Sequence, residues 1–149
     1  MPMHGNFTNG FITIRVNETA NKISYESEDP TYHGSLTFEL TEATLDIHVL
    51  DAQPEGHKLG ALLVWVCANT AIWNRKTQIR ATATARTAIP FYATMGFGPD
   101  PTEFKTAMTA TLGIAEARSP HEYVATWVAQ TGACLSSAWT SCSAQWRQA

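Results

Sequence analysis

Apolar and polar residues alternate through most of the first third of the chain. Phe11 to Val16 (F-I-T-I-R-V) alternates and is rich in β-branched residues, which predicts a strand. Asn17 to Asn21 supplies a turn, and Lys22 to Ser27 (K-I-S-Y-E-S) predicts a second strand. Glu28 to Gly34 carries Asp29-Pro30 and reads as a loop. Ser35 to Leu40 and Thr44 to Leu50 predict a third and fourth strand, joined tightly through Thr41 to Ala43. Successive strands with short links make an antiparallel meander. Asp51 to Glu55 contains Pro54 and should end the fourth strand. The period then changes. Leu59, Leu62, Leu63, Val66 and Cys67 recur at helical spacing, which predicts a buried helix from Gly56 or His57 to Trp73.

Alternation returns at Gln78 to Thr84, a fifth strand. A helical crossover would set it parallel to the fourth. Thr87 can cap a short helix running to about Met95, with Pro90 in its first turn and Gly96 at its end. Gly98-Pro99-Asp100-Pro101 is a break. Thr102 to Ala117 and Pro120 to Thr131 read as helices, the latter carrying Tyr123 and Trp127. A short amphipathic helix fits Ala133 to Ala149, where Leu135, Trp139, Cys142 and Trp146 fall about one turn apart. The expected class is α/β (α+β): a mixed, mostly antiparallel central sheet flanked by helices, with a helical C-terminal segment.

Composition narrows the function. With 149 residues, 44% hydrophobic and 15% charged, the chain has the make-up of one globular domain. A net charge of −3 gives no footprint for nucleic acid. No run is long enough to span a membrane, and Met1 to Gly10 is polar with no apolar leader, so a cytoplasmic location is expected. Cys67, Cys134 and Cys142 lack metal-site spacing and are expected to be free thiols. His4, His33 and His121 show no metal spacing either, so no metal is expected. The five tryptophans are expected to be core or interface anchors, and the aromatic stretch from Tyr123 to Trp146 would suit a homodimer face.

The candidate chemistry sits at Glu55 to Leu63 (E-G-H-K-L-G-A-L-L). A glycine turn between a strand and a helix presents unpartnered N–H groups and a positive helix end to a phosphate. After the next predicted strand comes Ala88 to Phe97 (A-I-P-F-Y-A-T-M-G-F). Together these stretches resemble the GCN5-related N-acetyltransferase (GNAT) superfamily. That superfamily has an Arg/Gln-x-x-Gly-x-Gly/Ala turn and, about thirty residues later, a helix ending in Phe-Tyr-x-x-x-Gly-Phe. The resemblance spans roughly residues 35 to 97. In the preferred register Glu55 stands for the Arg or Gln, Lys58 for the first Gly, and Gly60 is kept. A second register matches Gln53 and Gly56. Ala85 stands where the family often has Asn. The chain also shows no helical pattern ahead of its second strand, where the family places two helices.

The resemblance implies an N-acetyltransferase that moves an acetyl group from acetyl-CoA to an amine on a small molecule, peptide or protein. Its turn, Gly56, His57, Lys58, Leu59, Gly60 and Ala61, would hold the pyrophosphate, with Arg86 and Arg80 as further phosphate partners. The pantetheine arm would lie where the fourth and fifth strands part. Backbone near Val49 and Leu50 would donate to the thioester carbonyl, and Tyr92 would protonate the leaving thiolate. The base is open among His48, Asp46 and Glu39, or a water chain. The rival reading is a degenerate domain that binds acyl-CoA or a protein without turnover.

Overall fold

A computed structural model describes residues 4–82, 86–111 and 124–149. Five strands form an antiparallel meander, one more than the four expected: β1 (His4–Thr8), β2 (Thr13–Glu18), β3 (Lys22–Glu26), β4 (His33–Leu40) and β5 (Thr44–Gln53), each antiparallel to the next. Helix α1 (Leu59–Trp73) crosses over to β6 (Gln78–Ala81), which pairs parallel with β5. A 3-10 turn (Arg86–Ala88) leads into α2 (Ile89–Thr94), β7 (Gly98–Pro99) and α3 (Pro101–Thr111). The C-terminal part adds β8 (Trp127–Gln130), α4 (Thr131–Cys142) and β9 (Arg147–Gln148). The sheet order is β7-β8-β6-β5-β4-β3-β2-β1-β9. The expected mixed, mostly antiparallel sheet flanked by helices is the observed one.

Alternation decides which face of the sheet is covered. Ile14, Val16, Ile23, Tyr25, Leu36, Phe38, Leu45 and Ile47 all point to one face and are buried there. α1 lies on that face and is buried nearly all round, because α4 packs on its other side through Cys134, Ala138 and Cys142. Each large aliphatic side chain so buried contributes about 1.5–3 kcal/mol. One carboxylate enters this apolar layer: Glu18 is 7% exposed and accepts a 2.6 Å hydrogen bond from the Thr70 hydroxyl.

Several boundaries differ from the sequence reading. The first predicted strand is shifted: β1 precedes it, and Phe11 is a hairpin tip, 96% exposed, where Asn9 Oδ1 accepts from the N–H groups of Phe11 and Ile12. β5 continues past Asp51 to Gln53, because β4 pairs with it as far as His33. Thr87 caps nothing; it lies in the 3-10 turn, and Ala88 precedes α2 without a side-chain cap. Trp127 to Gln130 is a strand, not helix, since Trp127 and Ala129 alternate into the core while β6 offers an open edge. The rest of that predicted helix up to Tyr123, and residues 112–117 of the one before it, lie outside the described residues.

Candidate functional site

The site begins with a bulge in β5. Phe38 faces Ile47 and Thr37 faces Val49, so His48 is an extra residue on the β5 side. Parallel pairing with β6 covers only Thr44–Ile47 against Gln78–Ala81, and the Thr82 N–H makes a last bond to the Ile47 carbonyl at 3.2 Å. Among the described residues, β5 then runs six residues further without a β6 partner. Val49 and Leu50 lie on this freed stretch.

β5 feeds a turn with two left-handed residues, Gly56 (φ +79°) and Lys58 (φ 61°). A Cβ at Gly56 would meet nothing within 4 Å, so backbone conformation alone favours glycine there. Lys58 occupies the conformation for which the family pattern carries glycine, at a strain of roughly 1–2 kcal/mol. It precedes α1, whose first turn has no side-chain cap and no acidic residue. The N–H groups that open a helix have no partner within it. Here they face a cleft of about 480 Å³, within the range of ligand sites, lined by Leu50, Gln53, Lys58, Gly60, Phe91 and Met95.

Three aromatic residues brace the turn from behind. Trp146 is 1% exposed, and its indole N–H donates to the His57 carbonyl at 2.7 Å. Tyr25 donates to the Gln53 carbonyl at 2.7 Å. The Tyr32 ring meets the His57 and Trp146 rings edge-on, with centroids 5.9 and 6.5 Å apart. These contacts occupy the Gln53 and His57 carbonyls. His57 is therefore half-buried. None of the three braces is legible from local sequence, since Trp146 reaches the turn from the far end of the chain.

Gly60 has a packing role as well. A Cβ there would sit 3.2 Å from Phe91 Cε1 and 3.7 Å from Leu50 Cδ2. Phe91 rests on α1 at this glycine and forms the cleft's wall. Tyr92 follows it and is 7% exposed, with ring contacts to Phe91 and Phe97 at 5.2 and 5.1 Å. Burial pushes its phenol up to about 12, and nearby Cys67 and Cys134 add to the shift. It is a neutral hydroxyl at pH 7, a donor and not a base.

Glu39, Asp46 and His48 lie on the opposite, outer face of the sheet. His48 Nε2 and Glu39 Oε2 are 3.3 Å apart, with side chains 45% and 67% exposed. Asp46 accepts from the Thr44 hydroxyl at 2.7 Å, and Arg80 stands in register with it. The base candidates therefore lie on the face of the sheet opposite the buried core that holds Tyr92. Ala85 and the side chain of Arg86 lie outside the described residues. All three cysteines are free and buried, and burial raises each thiol. No described group of three or more His, Cys, Asp or Glu is placed to hold a metal, and no described helix is long and apolar enough to cross a membrane.

No protein-family model and no curated protein sequence matches the chain. Solved structures do. N-acetylglutamate synthase from Neisseria gonorrhoeae, complexed with coenzyme A and N-acetyl-glutamate, superposes with a TM-score of 0.53 at 13% identity. The match covers 74% of this chain and 26% of that one. The same enzyme complexed with coenzyme A and L-arginine gives 0.51 at 15% identity, over 74% and 24% of the two chains. The chain has a GNAT-like fold. It spans about a quarter of the length of those enzymes. Within a GNAT-like sheet, the freed end of β5, the turn and α1 are neighbours by topology, as the sequence resemblance implied.

Proposed function

We infer that this chain is an acetyl-CoA-dependent N-acetyltransferase. The observation that carries the reading is the parallel β5–β6 pair, whose rungs among the described residues end at Ile47 and Ala81, while β5 runs on into an uncapped helix N-terminus. A strand edge with no partner among the described residues offers backbone bonds to the amides of a pantetheine arm. The turn offers N–H groups and Lys58 to a pyrophosphate. Structures of similar fold that hold coenzyme A support the assignment.

In this reading the neutral amine nitrogen attacks the thioester carbonyl carbon. The N–C bond forms, and negative charge gathers on the carbonyl oxygen beside the Val49 and Leu50 backbone. The C–S bond then breaks. Tyr92 gives its proton to the thiolate, and the amine's surplus proton leaves through His48, paired with Glu39, or through water. Holding both reactants at one strand edge removes much of the entropic barrier. Glu55 and the nearly closed surface around Tyr92 favour the rival reading, a domain that binds acyl-CoA without turnover.

Calorimetric titration with acetyl-CoA tests the assignment. Saturable binding that Lys58→Glu weakens by about tenfold or more is the expected result, worth about 1.4 kcal/mol. A folded protein that binds no acyl-CoA overturns it. Binding without transfer to any amine selects the rival.

A further inference from the structure

The outer face of the meander carries a second concavity, of about 870 Å³. Register defines its floor. His4 pairs with Asn17, Asn17 with Ser24, Ser24 with Ser35, and Ser35 with Asp51. These five residues form one row across five strands. Most are small or short polar groups, while Arg15 and Glu26 on one side and Lys22 on the other are long. The result is a trough running across the strands. Arg15 and Glu26 neutralise one another in an ion pair, which leaves Asp51 as the carboxylate at the trough's end. Asp51 also lines the cleft at the turn, so the two concavities meet at this residue.

We propose that this trough is the acceptor site, and that it takes the N-terminal segment of a peptide or protein with its α-ammonium at Asp51. The proposal rests on the acetyltransferase reading for its chemistry. Its dimensions come from the sheet. Four strand spacings of about 4.8 Å make a floor of roughly 19 Å. An extended chain covers about 3.4 Å per residue, so five or six residues fill it. A free amino acid would occupy only the Asp51 end and leave Asn17 and His4 without a partner. Ser24, Ser35 and Asn17 can each bond the backbone of such a segment, which makes recognition tolerant of its side chains.

The proton inventory agrees. A free α-amine has a pKa of about 7.7–8.0 against about 10.4 for a lysine, so at pH 7 roughly a tenth of it is already neutral, against under a thousandth of a lysine. The exposed His48–Glu39 pair lies at the bulge, next to the Asp51 end of the trough. The docked ammonium first releases one proton to water, and the pair then accepts the second, which the amide nitrogen sheds as the C–S bond breaks. An N-acetylated peptide and free CoA are the products.

The test uses a pentapeptide amide of Ala, Ser and Gly, whose only charge is its α-ammonium. Its binding to the full chain is titrated without cofactor, alongside its N-acetylated form and free alanine amide. Saturable binding of the free pentapeptide is expected, about tenfold or more above both controls. Ser35→Leu, which fills the floor, and Asp51→Asn should each weaken peptide binding by a similar factor. The circular dichroism spectrum should be unchanged in both, and Ser35→Leu should leave acetyl-CoA affinity within twofold. Equal binding of alanine amide, or peptide binding untouched by Ser35→Leu, overturns the proposal. So does failure to bind peptide by a protein that binds acetyl-CoA. A protein that binds peptide in the trough but no acyl-CoA keeps the site and removes the acetyltransferase reading. A folded protein that binds neither removes both.

Discussion

Replacing Trp146 by phenylalanine asks whether the C-terminal tail sets the geometry of the turn. The indole is 1% exposed and gives its N–H to the His57 carbonyl at 2.7 Å. Phenylalanine keeps a ring against Tyr32 but removes the donor. A partly buried carbonyl left without a donor costs about 1–3 kcal/mol. The smaller ring leaves a void worth roughly another 1–2 kcal/mol. A loss of about 2–5 kcal/mol against a typical total of about 5–15 kcal/mol leaves the variant of a protein in the middle of that range folded at room temperature. The second effect falls on binding. Without the bond, Gly56 to Lys58 can leave the conformation that aims their N–H groups at the cleft. Reordering even one residue's backbone costs about 1–2 kcal/mol, so acetyl-CoA affinity should fall about tenfold. Urea unfolding and calorimetric titration read the two effects separately. Trp139→Phe is the control: it stacks on Trp65 at 4.9 Å, is 42% exposed and lies on α4 away from the turn. Both variants lose stability, and only Trp146→Phe loses affinity. Unchanged affinity in a destabilised Trp146→Phe protein would refute the brace.

Glu55→Gln removes an exposed carboxylate from the cleft rim and restores the residue type of the family pattern. Acetyl-CoA affinity should rise several-fold at low salt and less at high salt; an unchanged affinity would place the phosphates elsewhere. Tyr92→Phe should lower kcat by a factor of about 10² to 10⁴ with acetyl-CoA affinity retained, and single-turnover kinetics would sink the role if the chemical step kept its rate. Stability should also fall in alkali. Burial raises the phenols of Tyr25 and Tyr92 from 10.0, and the thiols of Cys134 and Cys142 from 9.0, to about 12 in each case. The unfolded chain therefore releases these protons first. Stability is level below pH 9, declines as pH climbs from 9 toward 12, and is lost through the folded-state values. A urea midpoint that stays level through pH 11 would contradict this.

Most of the meander and the parallel crossover were legible because alternation, turn residues and a change of period are local signals. The misreadings occurred where a partner decides. Trp127 to Gln130 is short and apolar, and only the free edge of β6 makes it a strand. β1 is polar at His4 and Asn6 and holds one deeply buried residue, Phe7, so its pairing with β2 and β9 is what defines it. β9 is two residues long, and its neighbour Ala149 bonds back to Asn6 at 3.0 Å. No window on the sequence contains both ends of that contact.

The site divides the same way. Its backbone part was readable, because a strand, a glycine turn and a buried helix leave a local pattern. The side chains that shape it were not, since Phe91, Tyr25 and Trp146 arrive from α2, β3 and the segment after α4. Gly60 joins the two parts. A phosphate-binding helix start favours a glycine, yet at this position the Phe91 ring already leaves no room for a Cβ without moving. The glycine of the turn and the aromatic residue of α2 are thus halves of one packing contact. That contact gives a physical reason for the glycine turn and the Phe-Tyr helix to occur together, about thirty residues apart. It also means that glycine at position 60 speaks for the fold first. The weight of the cofactor assignment falls on Gly56, where nothing within 4 Å crowds a side chain, on Lys58, held in a left-handed conformation at the mouth of the cleft, and on the stretch of β5 with no partner among the described residues.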